Sequence, residues 1–260
     1  MGKTIVISNQ KGGCGKSMTA VNLGIGLARQ GKRVLLLDAD SQHSLSVSLG
    51  ITEPDKIPIT LASVMANVIE NKAFNPTEGI IHHAEGVDLL PANSALVNTE
   101  LRLVSEYCRE LILRRYTETV KPLYDWCIID TSPSLGLLTV NALAAADSVL
   151  IPVSPKYLDA KGLELLLRTI SQVRKQINPN LSISGILLTM VDKRMNFTRE
   201  IISLIEKAYG GNIHIFSEHI PRSVRAAETS AAGKSIFAHD PHGKVAAAYE
   251  ALTGEVLDIA

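Results

Sequence analysis

The fold of this chain is decided by the stretch Asn9-Gln10-Lys11-Gly12-Gly13-Cys14-Gly15-Lys16-Ser17. A β-branched run at 4–8 precedes it and predicts a buried strand, and a segment able to form a helix, from 18 to about 30, follows it. Strand, glycine-rich turn, Gly-Lys-Ser and helix are the layout of a phosphate-binding loop. The sequence therefore predicts a nucleotide site at the end of the first strand.

The residue types of this loop suit a bound anion. Glycines leave no Cβ in the way, so we expect the backbone N–H groups of 12–15 to approach phosphates closely. The N-terminus of the following helix adds unpaired donors and the positive end of its dipole. We expect Lys16 to reach the β- and γ-phosphates of ATP, and the Ser17 hydroxyl to ligate the Mg²⁺ that bridges them.

The loop departs from the strict pattern G-x-x-x-x-G-K-[ST], which needs glycine where Gln10 stands. It has a second lysine at its start, Lys11, in the arrangement Lys-Gly-Gly-x-Gly-Lys-Ser of the deviant Walker A motif. In this feature the chain resembles the ParA/Soj and MinD group of P-loop ATPases. The alternative, an ordinary glycine-rich turn beside lysines, is disfavoured by the strand before the loop and the helix after it.

Composition limits the classes of protein that need to be considered. The chain has 260 residues, of which 46% are apolar and 4% aromatic, which suits a parallel sheet covered by helices on both faces. It has 26 basic and 26 acidic residues, so no overall charge favours nucleic acid or membrane, although a local patch remains compatible with this balance. The three cysteines have no metal-ligand spacing, and we expect no signal peptide and no membrane span.

Carboxylates follow two further predicted strands. Asp38 and Asp40 stand at the end of one apolar run and Asp130 at the end of another. Because ligands of open parallel sheets bind beyond the carboxyl ends of the strands, we expect these carboxylates beside the loop. Asp130 is in the Walker B arrangement, opposite Ser17, where it would hold the water shell of Mg²⁺. Asp38 and Asp40 are candidates for the loop or Mg²⁺ shell and for orienting a water, with a helix cap or turn as the alternative.

The run Gly-Lys-Arg-Val-Leu-Leu-Leu-Asp-Ala-Asp-Ser-Gln at 31–42 resembles the ParA/Soj segment that ends in Asp-x-Asp-Pro-Gln, with Ser41 in place of proline. The resemblance assigns hydrolysis to Asp40 and implies that Lys11 reaches the phosphates of a partner subunit. It also places Met18 near the α-phosphate, where the family usually has threonine. Residues 41–50 are either a nucleotide-sensing switch loop or a Ser/Gly-rich connector.

The run Ile-Pro-Arg-Ser-Val-Arg-Ala-Ala-Glu at 220–228 resembles the ParA/Soj segment Ile-Pro-Arg-x-Val-Arg-x-x-Glu. In that family the region lines the adenine pocket, which makes Pro221 and Met190 candidates for contact with the base. The resemblance further implies a surface that binds DNA without sequence preference, formed by Arg194, Arg222, Arg225 and Lys234. Solvated surface cations are the alternative.

Strand and helix patterns alternate along the whole chain and predict a single-domain, doubly wound, mostly parallel α/β fold over 1–260. The prediction includes one long helix at about 95–120, containing Cys108, and a last strand at 212–220. A C-terminal helix at about 244–257 is acidic, whereas a membrane-surface helix would need a basic face. We also expect no helix-turn-helix domain before the first strand.

The resemblance implies a cytoplasmic, nucleoid-associated ATPase with ATP and Mg²⁺ as cofactors. It would form an ATP-dependent homodimer, bind nonspecific double-stranded DNA and be released by hydrolysis that a ParB-like centromere-binding partner stimulates. Such an enzyme segregates plasmid or chromosome DNA. The alternatives are a MinD-like ATPase, one that positions a protein cargo, and a metabolic P-loop enzyme of the same superfamily.

Overall fold

The centre of the molecule is a seven-stranded sheet in the order β3-β4-β2-β5-β1-β6-β7. A computed structural model describes residues 2–259, without the side chains of 157–161. All neighbouring strands are parallel except β3, which runs antiparallel to β4. The strands are β1 (Lys3–Ile7), β2 (Val34–Ala39), β3 (Ile81–His82), β4 (Asp88–Leu90), β5 (Trp126–Thr131), β6 (Ser148–Val153) and β7 (Ser182–Leu188).

Helices cover both faces of this sheet. They are α1 (Lys16–Arg29), α2 (Ser44–Ser48), α3 (Leu61–Ile69), α4 (Leu96–Leu103), α5 (Ile112–Val120), α6 (Leu137–Ala145), α7 (Tyr157–Gln176), α8 (Asn196–Tyr209), α9 (Val224–Ala232), α10 (Ile236–His239) and α11 (Lys244–Ile259). The doubly wound, mostly parallel fold predicted from the sequence is confirmed. Within residues 2–259, none of the helices has the length and apolar character that crossing a membrane requires.

The strand period of two divides the apolar residues between two cores. Val6 of β1 packs into the core on one face of the sheet, whereas Ile5 and Ile7 pack into the core on the other. Leu35 and Leu36 of β2 divide in the same way. Both faces of the central strands are therefore buried, which explains their nearly continuous apolar sequence.

The strand predicted at 212–220 is wrong, because this segment forms only isolated bridges with β7 and with the residues after it. Ile215 forms one bridge with Ile186 of β7, and Pro221 forms another with Val191, three residues beyond the end of β7. Between them the N–H of Ser217 donates to the Glu255 carboxylate of α11 instead of to β7. The segment therefore bends away from the sheet edge between its two contacts.

The single helix predicted at about 95–120 is also wrong. The chain forms α4 and α5, and Cys108 lies between them in the left-handed region, with φ of 50°. The guanidinium of Arg109 donates to the Val104 carbonyl at 2.8 Å, and the Asn141 side chain donates to the Arg109 carbonyl at 2.8 Å. These side chains bond the backbone that a continuous helix would have paired internally.

The contact between α1 and α11 requires a glycine. A Cβ added at Gly26 would overlap the Oγ1 atom of Thr253, which is buried and donates to the Tyr249 carbonyl at 2.7 Å. Gly254, one residue further along α11, is exposed, and a Cβ there would meet nothing within 4 Å. A comparison of substitutions at the two glycines therefore separates the effect of packing from the effect of helix propensity.

We predict that Gly26→Ala lowers the free energy of unfolding by about 1–3 kcal/mol, because overpacking outweighs the gain in helix propensity. Gly254→Ala is the matched control and should raise it by roughly 0.5–1 kcal/mol. Urea titration of the nucleotide-free protein measures both values. Equal effects of the two substitutions would show that α1 and α11 do not pack as described.

Candidate active site

The phosphate-binding loop leaves β1 and enters α1 with an open, glycine-lined turn. Gly13 and Gly15 have φ of 70° and 84°, a conformation that a side chain disfavours. A Cβ at Gly12 or Gly13 would meet nothing within 4 Å, so this side of the loop is accessible. The helix begins at Lys16 with no side-chain cap and no acidic residue in its first turn. Its first N–H groups are therefore available to an anion.

Hydrogen bonds to the backbone of Lys11 hold the start of the loop. The Lys11 N–H donates to the Asn9 side chain at 3.1 Å, while the Lys11 carbonyl accepts from the Lys16 ammonium at 3.1 Å and the Cys14 thiol at 3.2 Å. Asn9 is fully buried and its amide donates to the Pro152 carbonyl at 2.6 Å. The backbone of Lys11 is thus tied through Asn9 to the end of β6.

A second hydrogen bond joins the middle of the loop to the residue that follows β7. The Thr189 hydroxyl donates to the Cys14 carbonyl at 2.8 Å and is buried. Sequence reasoning missed both Asn9 and Thr189. Asn9 directly precedes the motif, which is a weak signal, whereas Thr189 lies 175 positions from Cys14 and gives none.

Asp38 and Asp130 lie side by side at the carboxyl ends of β2 and β5, which are paired at these two residues. Both side chains are fully buried. Asp38 accepts from the Ser46 N–H at 2.8 Å, the Ser46 hydroxyl at 2.7 Å and the Asp40 N–H at 3.2 Å. Burial raises the pKa of Asp38 to about 6 in spite of these bonds. These hydrogen bonds tie Asp38 to the start of α2, as in the cap or turn alternative, and its place in the Mg²⁺ shell stays a prediction.

Neither carboxylate oxygen of Asp130 has a hydrogen-bond partner among the residues that the structure describes, although both are buried. Burial and the nearby charge of Asp38 raise the pKa of Asp130 well above its usual range, while Ser17 and Lys16 oppose this shift. An unpaired buried carboxylate that faces a serine hydroxyl is a suitable environment for a cation. Ser17 and Asp130 would therefore hold Mg²⁺ and its waters.

Asp40 lies at the start of the loop that follows β2 and is 5% exposed. Its carboxylate accepts from the Gln42 N–H at 2.9 Å, and its carbonyl accepts from the His43 N–H at 2.8 Å. His43 has φ of 46°, an uncommon conformation for a residue with a side chain. The loop is therefore a tight turn that ends in α2, so the segment 41–50 is partly helical rather than an extended connector.

The candidate adenine residues belong to two adjacent segments. Met190 is 38% exposed, and its terminal methyl lies 3.9 Å from the position of a Cβ at Gly15. Pro221 bridges to Val191, the residue after Met190, and the Arg222 N–H donates to the Val191 carbonyl at 3.1 Å. Met190 is thus beside the phosphate loop, and Pro221 is on the neighbouring segment.

The structure brings together only part of the predicted DNA surface. Arg194 and Arg222 line one open groove of about 1040 Å³, together with Lys193 and Lys244, which sequence reasoning missed. Arg225 is exposed on the first turn of α9. Lys234 follows α9 at its other end, which a helix of this length puts roughly 13 Å away along the axis. Lys193 adjoins Arg194 in sequence, whereas Lys244 joins the groove only through folding.

Outside the site, His82 is exposed and its ring forms a hydrogen bond with the Asp88 carboxylate at 2.7 Å. No group of three or more histidine, cysteine or acidic residues that could hold a metal ion occurs in the described part of the chain. A magnesium site with one or two protein ligands, completed by nucleotide and water, does not need such a group. The site and the fold together define a P-loop ATPase of the deviant Walker A class.

Comparison with known proteins agrees with this class. A family model described as AAA domain matches residues 2–183. The sporulation initiation inhibitor protein Soj of Bacillus subtilis is 42% identical over 256 residues and covers 98% of both chains. The chromosome partitioning protein ParA of Myxococcus xanthus is 39% identical over 99% of this chain and 88% of its own length. The chain belongs to the ParA/Soj family of the ParA/MinD superfamily and is an ATPase with ATP and Mg²⁺ as cofactors.

Solved structures resemble the whole chain. Cobyrinic acid a,c-diamide synthase of Mycobacterium smegmatis superposes with a TM-score of 0.85 at 33% identity, over 99% of this chain and 94% of that one. One of its structures contains ADP and magnesium, and another contains an ATP analogue and magnesium. The apo McdA structure from Cyanothece has the same TM-score at 24% identity, which shows the shared fold.

We predict that Asn9→Ala lowers kcat of ATP hydrolysis about tenfold or more, because a displaced Lys11 backbone misplaces the loop. KM for ATP should change less than about threefold, because Lys16, Ser17 and the helix N-terminus remain. Steady-state hydrolysis measures both constants. Asn178→Ala is the matched control, since Asn178 is also buried and donates to three carbonyls at the end of α6. It should destabilise the fold by about 1–3 kcal/mol with kcat unchanged, and an equal fall in kcat would contradict the positioning role of Asn9.

We predict that Asp130→Asn raises the melting temperature of the nucleotide-free protein at pH 8, because it removes a buried carboxyl whose ionisation the fold disfavours. The raised pKa of Asp130 means that wild-type stability is lost as pH rises through that pKa, so the difference should shrink at lower pH. Mg²⁺ with ATP should stabilise the wild type and not the variant. A variant less stable than the wild type at pH 8 without nucleotide would contradict this electrostatic account.

Proposed function

We propose that this chain is a partition ATPase whose ATP-bound dimer binds double-stranded DNA without sequence preference and is released by hydrolysis. The observation that carries this proposal is the short path between the phosphate loop and the open groove lined by Lys193, Arg194, Arg222 and Lys244, which we call the cationic groove. Met190 lies beside the phosphate loop, and the next residue, Val191, is hydrogen-bonded to Arg222 of the cationic groove. A change in nucleotide state at the loop can therefore reach the groove through one short segment.

Charge supports DNA as the ligand of this groove. Four cationic side chains line it, Lys193, Arg194, Arg222 and Lys244, against the two acidic ones, Asp192 and Glu218. The Arg194 side chain is 95% exposed, and its Nε lies 3.6 Å from a carboxylate oxygen of Asp192. Because such an exposed ion pair is weak, Arg194 remains available to phosphate. Because the chain as a whole is neutral, attraction to a polyanion has to come from such a local cluster.

Hydrolysis is proposed to require two subunits. Lys16 contacts the Lys11 carbonyl, and the half-buried Lys11 adjoins the open side of the loop, where Gly12 and Gly13 are exposed. A second copy docking there would receive the Lys11 ammonium at its phosphates, where it would stabilise transition-state charge. Asp40 would orient the attacking water. Dimerisation would then control the rate.

A ParB-like centromere-binding protein is the proposed activator, and plasmid or chromosome DNA the proposed cargo. Relatives named as chromosome-partitioning proteins support this role. The chain would act as one ParA-like domain over 1–260, in the cytoplasm and associated with the nucleoid. Met18, Pro221, Arg225 and Lys234 retain the nucleotide and DNA roles proposed for them.

A metabolic role is the second candidate, because the cobyrinic acid a,c-diamide synthase structures are 33% identical over nearly the whole chain. An enzyme that uses ATP to form amides would need a site for its further substrate beside the phosphate loop. Relatives named as chromosome-partitioning proteins have higher identity, up to 39% in ParA of Myxococcus xanthus, and favour partition. A membrane-surface role of the MinD type is disfavoured by the acidic residues of α11.

Retention on a random-sequence DNA duplex tests the proposal, with ATP, ADP or no nucleotide. We expect wild-type protein to bind with ATP only, Asp40→Ala to stay bound because it does not hydrolyse, and Arg222→Ala/Arg225→Ala to lose at least about tenfold in affinity at 150 mM salt. Lys32→Ala/Lys56→Ala is a control of equal charge change away from the groove. Equal retention in all nucleotide states would exclude the switch, and no retention would favour the metabolic or protein-cargo alternatives.

A further inference from the structure

Large apolar side chains are exposed at the cationic groove. Val224 lines the groove and is 77% exposed. Met195 and Phe197 stand one and three residues after the groove residue Arg194, outside the lining itself, and they are 52% and 51% exposed. We refer to Met195, Phe197 and Val224 as the apolar trio. Apolar groups that gather on a protein surface indicate a site of interaction.

The packing of α8 and the capping of α9 do not require apolar side chains at the positions of the trio. The helix α8 faces the core through Thr198, Ile201, Ile202 and Ile205, and Phe197 lies outside this buried set. The helix α9 begins because the Ser223 hydroxyl accepts from the Ala226 N–H at 3.4 Å, so a polar residue at 224 would also be tolerated. The apolar character of the trio therefore has no source in packing or capping.

The lining of the groove favours a polyanion. Besides the cations it includes the small residues Ala227, Ala247, Ala248 and Ala251, which leave room for a ligand. A duplex presents phosphates that the cations can contact, and beside them sugars and base edges that accept apolar side chains. A bilayer is flat, and a helix that binds it needs a continuous apolar face. On α8 the continuous apolar face is turned into the core, and the exposed Phe197 and Leu204 are separated by the exposed Glu200.

We propose that the cationic groove and the apolar trio form one DNA-docking surface. Lys193, Arg194, Arg222 and Lys244 bind phosphates, while the trio contacts deoxyribose and base edges of the minor groove. Part of the affinity for nonspecific DNA is then independent of salt. This inference rests on the proposed function and adds a class of contact that cationic residues alone would not provide.

Salt dependence separates the two kinds of contact. Affinity for a random-sequence 30-base-pair duplex would be measured by fluorescence anisotropy with ATP and Mg²⁺ between 50 and 300 mM salt, at about six concentrations. Met195→Ser/Phe197→Ser/Val224→Ser should weaken binding about tenfold at every salt concentration, with the slope of log K against log salt unchanged. Arg222→Ala should instead lower the magnitude of that slope by about 1.

The matched control is Val97→Ser/Leu101→Ser/Val104→Ser on α4, whose three side chains are 50%, 67% and 59% exposed. This helix packs against α3 and α6, whereas the groove is formed by residues 191–194, by the segment 218–223 and by α9 and α11. The control should bind DNA within about twofold of the wild type. Hydrolysis without DNA should be unchanged in both triple variants, which verifies their folding.

Three results would overturn the inference. The first is DNA binding by the trio variant within twofold of the wild type, and the second is an equal loss in the α4 control. The third is retention of wild-type protein on phosphatidylglycerol vesicles that the trio variant loses while its DNA binding stays intact, which would assign the trio to a membrane. Absence of any wild-type DNA binding with ATP would instead contradict the proposed function itself, so the two failures are distinguishable.

Discussion

The active site depends on two carboxylates that the fold holds together out of water. Pairing of β2 with β5 places Asp38 opposite Asp130, and the sheet buries both. Burial raises the pKa of both carboxyls, the charge of Asp38 raises the pKa of Asp130 further, and the charge of Asp40 adds to the rise in the pKa of Asp38. The fold can accommodate the pair only by supplying donors, protons or a cation. It does so differently for each member.

Asp38 receives its donors from the protein. The Ser46 N–H and hydroxyl bond it, and the same hydroxyl accepts from the Ala92 N–H at 3.1 Å. This network joins the end of β2 to α2 and to the segment after β4, and it fixes the loop that contains Asp40. Asp130 receives no such donors within the described residues, and the cation remains its means of compensation. One carboxylate therefore organises the loop and the other is left for Mg²⁺.

The parts of this site that could be predicted from sequence are those whose chemistry is local. Glycines, lysine and serine occur within one turn, and Asp130 ends an apolar strand, so both were identified from neighbouring residues. The support of the loop by Asn9 and Thr189 could not be predicted, because their partners are distant in the chain. The strand expected at 212–220 failed for the same reason, since Glu255 of α11 takes the N–H of Ser217. Pattern and spacing describe a segment alone and cannot include such a competitor.

The neutral net charge of the chain gives the cationic groove its significance. With 26 basic and 26 acidic residues, the protein has no field that would attract DNA from a distance, and attraction is confined to within about a Debye length of the groove, roughly 8 Å at physiological salt. If the groove binds DNA as proposed, a change in the position of Arg222 relative to Arg194 would alter the affinity. Because Arg222 is bonded to Val191, next to a residue beside the phosphate loop, the proposed switch would act through this position. A uniformly basic protein would bind DNA in every nucleotide state, whereas a neutral protein with one local groove can be switched.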